Sequence, residues 1–239
     1  MHRHPISIGT WLSLGSPAAA EIAALCGYDW VLLDLEHGCE TDAALPHQLR
    51  ALRGGTTRAI VRVGAPHPDL IGRVLDWGAD GIMVPRVETA AEAVAIVEAT
   101  RHSPRGRRGY ARTVRSMGYG LKVESATDSV VLAQIETVAA VAEAAAIAAV
   151  DGIDALFVGP ADLGFDLAAR HDSRTVADCL PGIVAATQSS EKAAGILVRT
   201  PEDLAHMRDL GFSWLAIDSD ISLLREGMRR HLEAGRALS

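Results

Sequence analysis

Eight short apolar, β-branched runs alternate with eight Ala/Leu-rich stretches of helical spacing, and this count constrains the fold more than any other feature. The runs are 6–12, 29–35, 59–63, 81–85, 129–135, 154–158, 194–198 and 214–218. Helix-like segments lie between and after them at 17–26, 42–53, 67–77, 88–101, 137–149, 174–189, 201–210 and 219–234. Strands that alternate with helices pair in parallel, so eight units within 239 residues predict an α/β fold, a single (β/α)8 barrel domain over 1–239. Gly27, Gly78 and Gly211 stand where helices should stop, and Pro17, Pro68 and Pro201 where helices should start. No Gly-x-Gly-x-x-Gly turn follows the first strand, so no nucleotide cofactor is expected. Two stretches break the rhythm. Residues 102–128 form an Arg-rich insert, expected as a positive loop near the barrel mouth or as a solvated or subunit-contacting segment; 159–173 is expected as a turn-rich βα loop.

A formal net charge of −7 argues against a nucleic-acid partner or a polybasic membrane surface. Three scattered cysteines, Cys26, Cys39 and Cys179, match neither a disulfide framework nor a metal knuckle, and the amino terminus lacks a signal-peptide or membrane-span pattern. The cytoplasm is the expected compartment. Of 23 basic residues 21 are arginine; the lysines are Lys122, in the irregular insert, and Lys192, at the wrong end of the seventh strand. No lysine is therefore placed for Schiff-base chemistry, which needs one on a barrel strand facing the substrate.

Active sites of such barrels lie at the carboxyl ends of the strands, so polar residues closing the apolar runs are the candidates. Gln134 and Glu136 share a face at the end of the fifth run, and Asp162 follows the neighbouring sixth. Two carboxylates on adjacent strand ends, roughly 5 Å apart, repel unless they share a proton or a cation. A hard divalent ion such as Mg²⁺ or Mn²⁺ resolves this; helix capping by each carboxylate is the competing reading. His37, after the second run, is a candidate acid or base, with Asp76 a candidate partner if the fold joins them. Arg62 inside Ala59-Ile60-Val61-Arg62-Val63 requires an anion, either a substrate oxygen or a structural carboxylate.

The segments Gly9-Thr10-Trp11-Leu12, Asp34-Leu35-Glu36-His37, Val61-Arg62-Val63, Leu75-Asp76-Trp77-Gly78, Val84-Pro85-Arg86-Val87, Gln134-Ile135-Glu136-Thr137 and Gly159-Pro160-Ala161-Asp162-Leu163 resemble, in order and spacing, the HpcH/HpaI aldolase family. These are metal-dependent class II pyruvate aldolases with a TIM barrel of the phosphoenolpyruvate/pyruvate superfamily. The likeness runs from about residue 6 to residue 224. It implies that Glu136 and Asp162 bind a divalent metal ion (Mg²⁺, Mn²⁺ or Co²⁺) and that Arg62 steadies the keto oxygen of pyruvate. It further implies that Gly159, Pro160, Ala161 and Asp162 form the substrate-binding turn, with backbone amides around Ala161 and Asp162 holding the pyruvate carboxylate, and that His37 with Asp76 moves a proton. Trp11, Gln134 and Leu197 match pocket-lining positions, and Asp34 matches one near a subunit boundary. The implied reaction is reversible cleavage of a 4-hydroxy-2-oxo acid to pyruvate and an aldehyde, with oxaloacetate decarboxylation on the side. The implied assembly is a homo-oligomer, a hexamer built as a trimer of dimers, with the last helix on a neighbour through Ile221, Leu223, Leu224 and Met228. Those residues suit a core position of the eighth helix equally well.

Two other functions fit the same carboxylate pair: an acyl-CoA lyase of that superfamily, and a non-catalytic barrel that binds metal and an oxo acid. A phosphate-sugar isomerase does not fit, because Ile217-Asp218-Ser219-Asp220 is acidic where a phosphate loop should lie.

Overall fold

The computed structural model describes residues 4–121 and 128–238. Eight parallel strands close into a barrel in sequence order: β1 (Ser7–Leu12), β2 (Trp30–Asp34), β3 (Arg58–Arg62), β4 (Gly81–Val84), β5 (Val130–Ile135), β6 (Ala155–Val158), β7 (Ala193–Val198) and β8 (Trp214–Ser219). The expected TIM barrel is thus observed.

Period-two alternation along each strand sorts the core into two layers. One side chain set packs between sheet and helices, with Val31, Leu33, Val61, Ile82, Val131 and Leu156 fully buried. The other fills the barrel: Trp30, Leu32, Ile60, Met83, Leu132 and Phe157, with Trp30 and Trp214 rings 5.3 Å apart. Gly9 is dictated by this filling, since a Cβ there would overlap the Trp30 indole. Continuing the inward parity to the strand ends brings Trp11, Asp34, Arg62, Gln134 and Leu197 to the carboxyl-end mouth.

The helices around the described barrel are α1 (Pro17–Cys26), α2 (Leu45–Ala51), α3 (Pro68–Asp76), α4 (Ala90–Thr100), α5 (Val138–Ala148), α6 (Pro160–Ala169), α7 (Val176–Ser189), α8 (Leu204–Leu210) and α9 (Asp220–Arg236). Helix α6 corrects the expected loop at 159–173. Pro160 sits at its first position, where a missing N–H costs nothing, and Leu163 and Leu167, four residues apart, bury one face. The turn-forming residues Gly159, Pro160 and Gly164 masked that short periodicity in sequence.

The Arg-rich insert is also relocated. Its described residues, 102–121 and 128, follow the end of α4 and precede the start of β5, at the amino-terminal end of the barrel, opposite the mouth. Three of its arginines form ion pairs there: Arg108 with Asp76 at 2.6 Å, Arg107 with Glu98 at 3.0 Å, Arg105 with Asp128 at 2.7 Å. Arg115 donates to the carbonyls of Trp77 and Leu49, at the ends of α3 and α2. Lys122 lies outside the described residues. Among the described residues no helix is long and apolar enough to cross a membrane.

Helix α9 has no buried residue, and Ile221, Leu223, Leu224 and Met228 are exposed. They are not core positions of this chain.

Candidate active site

Glu136 directly follows β5 and is buried at 2% exposure. Its Oε1 accepts the backbone N–H of Arg86 at 2.8 Å, while Oε2 is buried without a hydrogen-bond partner. Thr137, not Glu136, caps α5 by accepting from the Ala140 amide, so the capping alternative does not explain this carboxylate. Burial, reinforced by the negative charges of Asp162 and Glu36, pushes the Glu136 carboxyl up to about 7.

Asp162 is the third residue of α6 and lies past the cap, which is Gly159. A Cβ at Gly159 would stand 2.6 Å from Glu136 Oε2 and 2.8 Å from Gln134 Nε2, so glycine keeps the space beside the orphan oxygen open. The buried Gln134 Oε1 also lacks a partner. The first-turn amides of Ala161 and Asp162 have no intrahelical acceptor and sit at the positive end of the α6 dipole, an anchor for a carboxylate.

Arg62, 6% exposed, closes β3 on the inner face. It donates through Nε to Asp34 Oδ1 at 2.9 Å and through Nη2 to Oδ2 at 2.6 Å, and Nη1 lies 2.9 Å from Glu36 Oε2. Its guanidinium also stacks 5.2 Å from the Trp11 ring centroid. Burial opposes the charge on Arg62, but the hydrogen bonds and charges of Asp34 and then Glu36 outweigh it and hold its pKa above the usual value. Asp34, 2% exposed, is an interior partner of Arg62. Glu36 is raised by burial, partly offset by Arg62 and His37.

His37 is exposed at the mouth, its Nε2 3.8 Å from Glu36 Oε1. Asp76 ends α3 at the opposite end of the barrel, where Arg108 holds it. A nine-residue helix is about 14 Å long, so one chain does not bring Asp76 to His37. Trp11 belongs to the cluster that fills the barrel, and Leu197 packs against it.

Sequence reasoning missed two contributors. Glu36, in the same strand-end motif as Asp34 and His37, pairs with Arg62, which the motif alone does not signal. Arg86 contributes its backbone: its φ of 52°, in the left-handed region, turns its N–H to Glu136. The signal was a Pro85-Arg86 pair closing the fourth apolar run.

A divalent ion fits these residues. Hard oxygen donors, one of them a buried orphan, face an open cradle, and two carboxylates completed by water and substrate are a normal magnesium donor set. Among the described residues no group of three or more His, Cys, Asp or Glu side chains is placed to hold a metal ion.

The HpcH/HpaI aldolase/citrate lyase family model matches residues 7–226. The chain is 37% identical to a hydroxypyruvate/pyruvate aldolase of Paraburkholderia phytofirmans, covering 96% of this chain and 93% of that one. It is 45% identical to a 4-hydroxy-2-oxovalerate aldolase of Novosphingobium aromaticivorans, covering 90% and 85%. An HpcH/HpaI aldolase/citrate lyase family protein from Burkholderia cenocepacia superposes with a TM-score of 0.90 at 34% identity, over 97% of this chain and 95% of that one. The chain belongs to the HpcH/HpaI aldolase/citrate lyase family and is a carbon–carbon lyase of the aldolase type.

Proposed function

We propose that this protein is a divalent-metal-dependent aldolase that cleaves a 4-hydroxy-2-oxo acid, reversibly, between C3 and C4 to pyruvate and an aldehyde. The observation that carries the reading is the orphan Glu136 Oε2, buried beside Gly159 and within the field of Asp162, with the Arg62 guanidinium on the same inner face of the barrel. Glu136 and Asp162 would hold the ion. The chemistry a bound Mg²⁺, Mn²⁺ or Co²⁺ supplies is Lewis acidity at the keto oxygen, which eases loss of a methyl proton.

The chain does the rest. The amides of Ala161 and Asp162 anchor the substrate carboxylate against the amino terminus of α6. Arg62, immobilised by Asp34 and Glu36, presents its remaining N–H groups where negative charge grows on the enolate oxygen, and needs no reorientation to do so. Gln134 offers an unpaired amide oxygen at the same mouth, and Trp11 with Leu197 excludes water from the apolar side. His37, exposed at the rim, exchanges the proton of the C4 hydroxyl through water. If Asp76 orients His37, it does so from a second copy of the chain, which agrees with a homo-oligomer and with the outward apolar face of α9. Because loss of carbon dioxide from oxaloacetate yields the same pyruvate enolate, decarboxylation is expected as a side activity.

Exchange of the pyruvate methyl protons with D₂O, followed by proton NMR, separates this reading from a barrel that only binds. The aldolase exchanges them when Mg²⁺ or Mn²⁺ is added; bound pyruvate that never exchanges contradicts the proposal.

A further inference from the structure

We infer that Glu36 is the catalytic base that takes the methyl proton of pyruvate, through its Oε1. This rests on the aldolase reading and fills the one step for which that reading names no base.

The bend after β2 places the carboxylate. Asp34, the last residue of β2, accepts the Glu36 amide on Oδ1 at 3.0 Å, and the chain turns so that Glu36 meets Arg62 at the end of the neighbouring strand. Its Oε2 is fixed 2.9 Å from Arg62 Nη1. Its Oε1 stands 3.8 Å from His37 Nε2, too far for a hydrogen bond, so a lone pair is available there. The keto oxygen that Arg62 steadies and the methyl carbon of pyruvate are separated by a single carbon. A carboxylate held by the same guanidinium therefore lies beside the proton that must leave.

The other acids at the mouth are committed. Glu136 and Asp162 would hold the ion, and both oxygens of Asp34 are gripped by Arg62. Asp218 pairs with Arg199 at 3.4 Å, and Glu40 lies in a separate cavity with His67 and Leu70. His37, its side chain 66% exposed, stands further out, where the C4 hydroxyl is handled. The charged groups acting on Glu36 are Asp34 and His37 from its own segment, Arg62 from β3 and Asp162 from α6, and Glu136 at the end of β5 feels its charge in turn. Burial is the largest influence and raises the proton affinity of this half-buried carboxylate; Arg62 and His37 offset part of it. A carboxylate raised in this way is a better base near neutral pH.

The step balances within the site. The Oε1 lone pair forms the new O–H bond, the C–H pair becomes the C2–C3 double bond, and the carbonyl pair moves onto the oxygen beside Arg62. C3 of the enolate then attacks the aldehyde carbon; in the cleavage direction the neutral Glu36 carboxyl returns the proton to C3.

The test compares two routes to the same enolate in the full-length protein with Mg²⁺: exchange of the pyruvate methyl protons with D₂O, which needs a base, and release of carbon dioxide from oxaloacetate above the metal-only rate, which does not. Glu36→Gln keeps the shape and an oxygen for Arg62, and should lower exchange by about 10²–10⁴-fold. Carbon dioxide release should fall far less, and calorimetric affinity for pyruvate should stay close to wild type. Glu36→Asp, which keeps the charge but draws it back, should exchange at an intermediate rate and serves if Gln disturbs the fold. Exchange at the wild-type rate in Glu36→Gln overturns the assignment. So does an equal loss of exchange and carbon dioxide release, since that would leave Glu36 only as a support for Arg62. A wild type that binds pyruvate without exchanging its protons overturns the aldolase reading itself, and the base with it.

Discussion

The Arg62 guanidinium grips both carboxylate oxygens of Asp34, Nε to Oδ1 at 2.9 Å and Nη2 to Oδ2 at 2.6 Å, inside the mouth of the barrel. Each partner is buried, so removing one leaves the other as an uncompensated charge. Arg62→Ala should therefore cost about 3–5 kcal/mol of stability besides most of the activity. Arg62→Lys keeps the charge but loses the fork, and should lower kcat by about 10²–10³-fold. Thermal unfolding and a pyruvate-release assay check the two effects. Burial pushes the Asp34 carboxyl up, but Arg62 and the amides of Glu36 and His37 more than offset this and hold it below its ordinary value. Its contribution to stability is thus present above the unfolded pKa of roughly 3.9 and lost as pH falls through the lower folded value.

Glu136 behaves in the opposite sense. Its carboxyl is pushed up to about 7 by burial and by the nearby acids, so a cation must displace a proton at pH 6 but not at pH 8. Calorimetric titration with Mn²⁺ should show binding up to about 10-fold weaker at pH 6 than at pH 8, with proton release at the lower pH. Glu136→Gln should abolish both the binding and its pH dependence while the barrel still folds.

The sequence carried the barrel because eight apolar runs and their helices repeat with clear periodicity, and the strand-end rule then pointed to Arg62, Glu136 and Asp162. Three features were not legible. Helix α6 hides behind Gly159, Pro160 and Gly164, which read as a turn until Leu163 and Leu167 are seen buried together. The insert at 102–128 looks like an anion-binding mouth by charge alone, but an αβ connection closes at the other end of the strands, where Asp76, Glu98 and Asp128 meet its arginines. The contribution of Arg86 depends on a left-handed backbone conformation at a non-glycine residue, which no composition or spacing reports.

Glu40 gives a separate pH signature. Both its carboxylate oxygens are buried without partners beside Leu35, His67 and Leu70, and burial pushes the group up to about 7. A folded pKa above the unfolded one contributes stability below roughly pH 4 that is lost as pH rises through 7. Glu40→Gln should accordingly raise the melting temperature at pH 8 and leave it nearly unchanged at pH 5. Discounted for the solvent around this half-buried side chain, the gain is about 1 kcal/mol.

The separation of His37 from Asp76 and the outward face of α9 make a joint prediction. Leu224→Glu with Met228→Glu should shift the protein to smaller species in light scattering. His37→Ala and Asp76→Ala, each inactive alone, should regain activity when co-expressed, since mixed oligomers contain sites with both residues intact. Inactive mixed oligomers would remove Asp76 from the site.

The most direct measurement of the central claim is pyruvate release from 4-hydroxy-2-oxovalerate, first in excess chelator and then after adding back Mg²⁺, Mn²⁺ or Co²⁺, with parallel borohydride treatment. The account predicts no release in chelator, release restored by the metal, and no inactivation by borohydride, as expected for a site built on Glu136 and Asp162 without a lysine. Metal-independent release that borohydride abolishes, or no release under any metal, would contradict it.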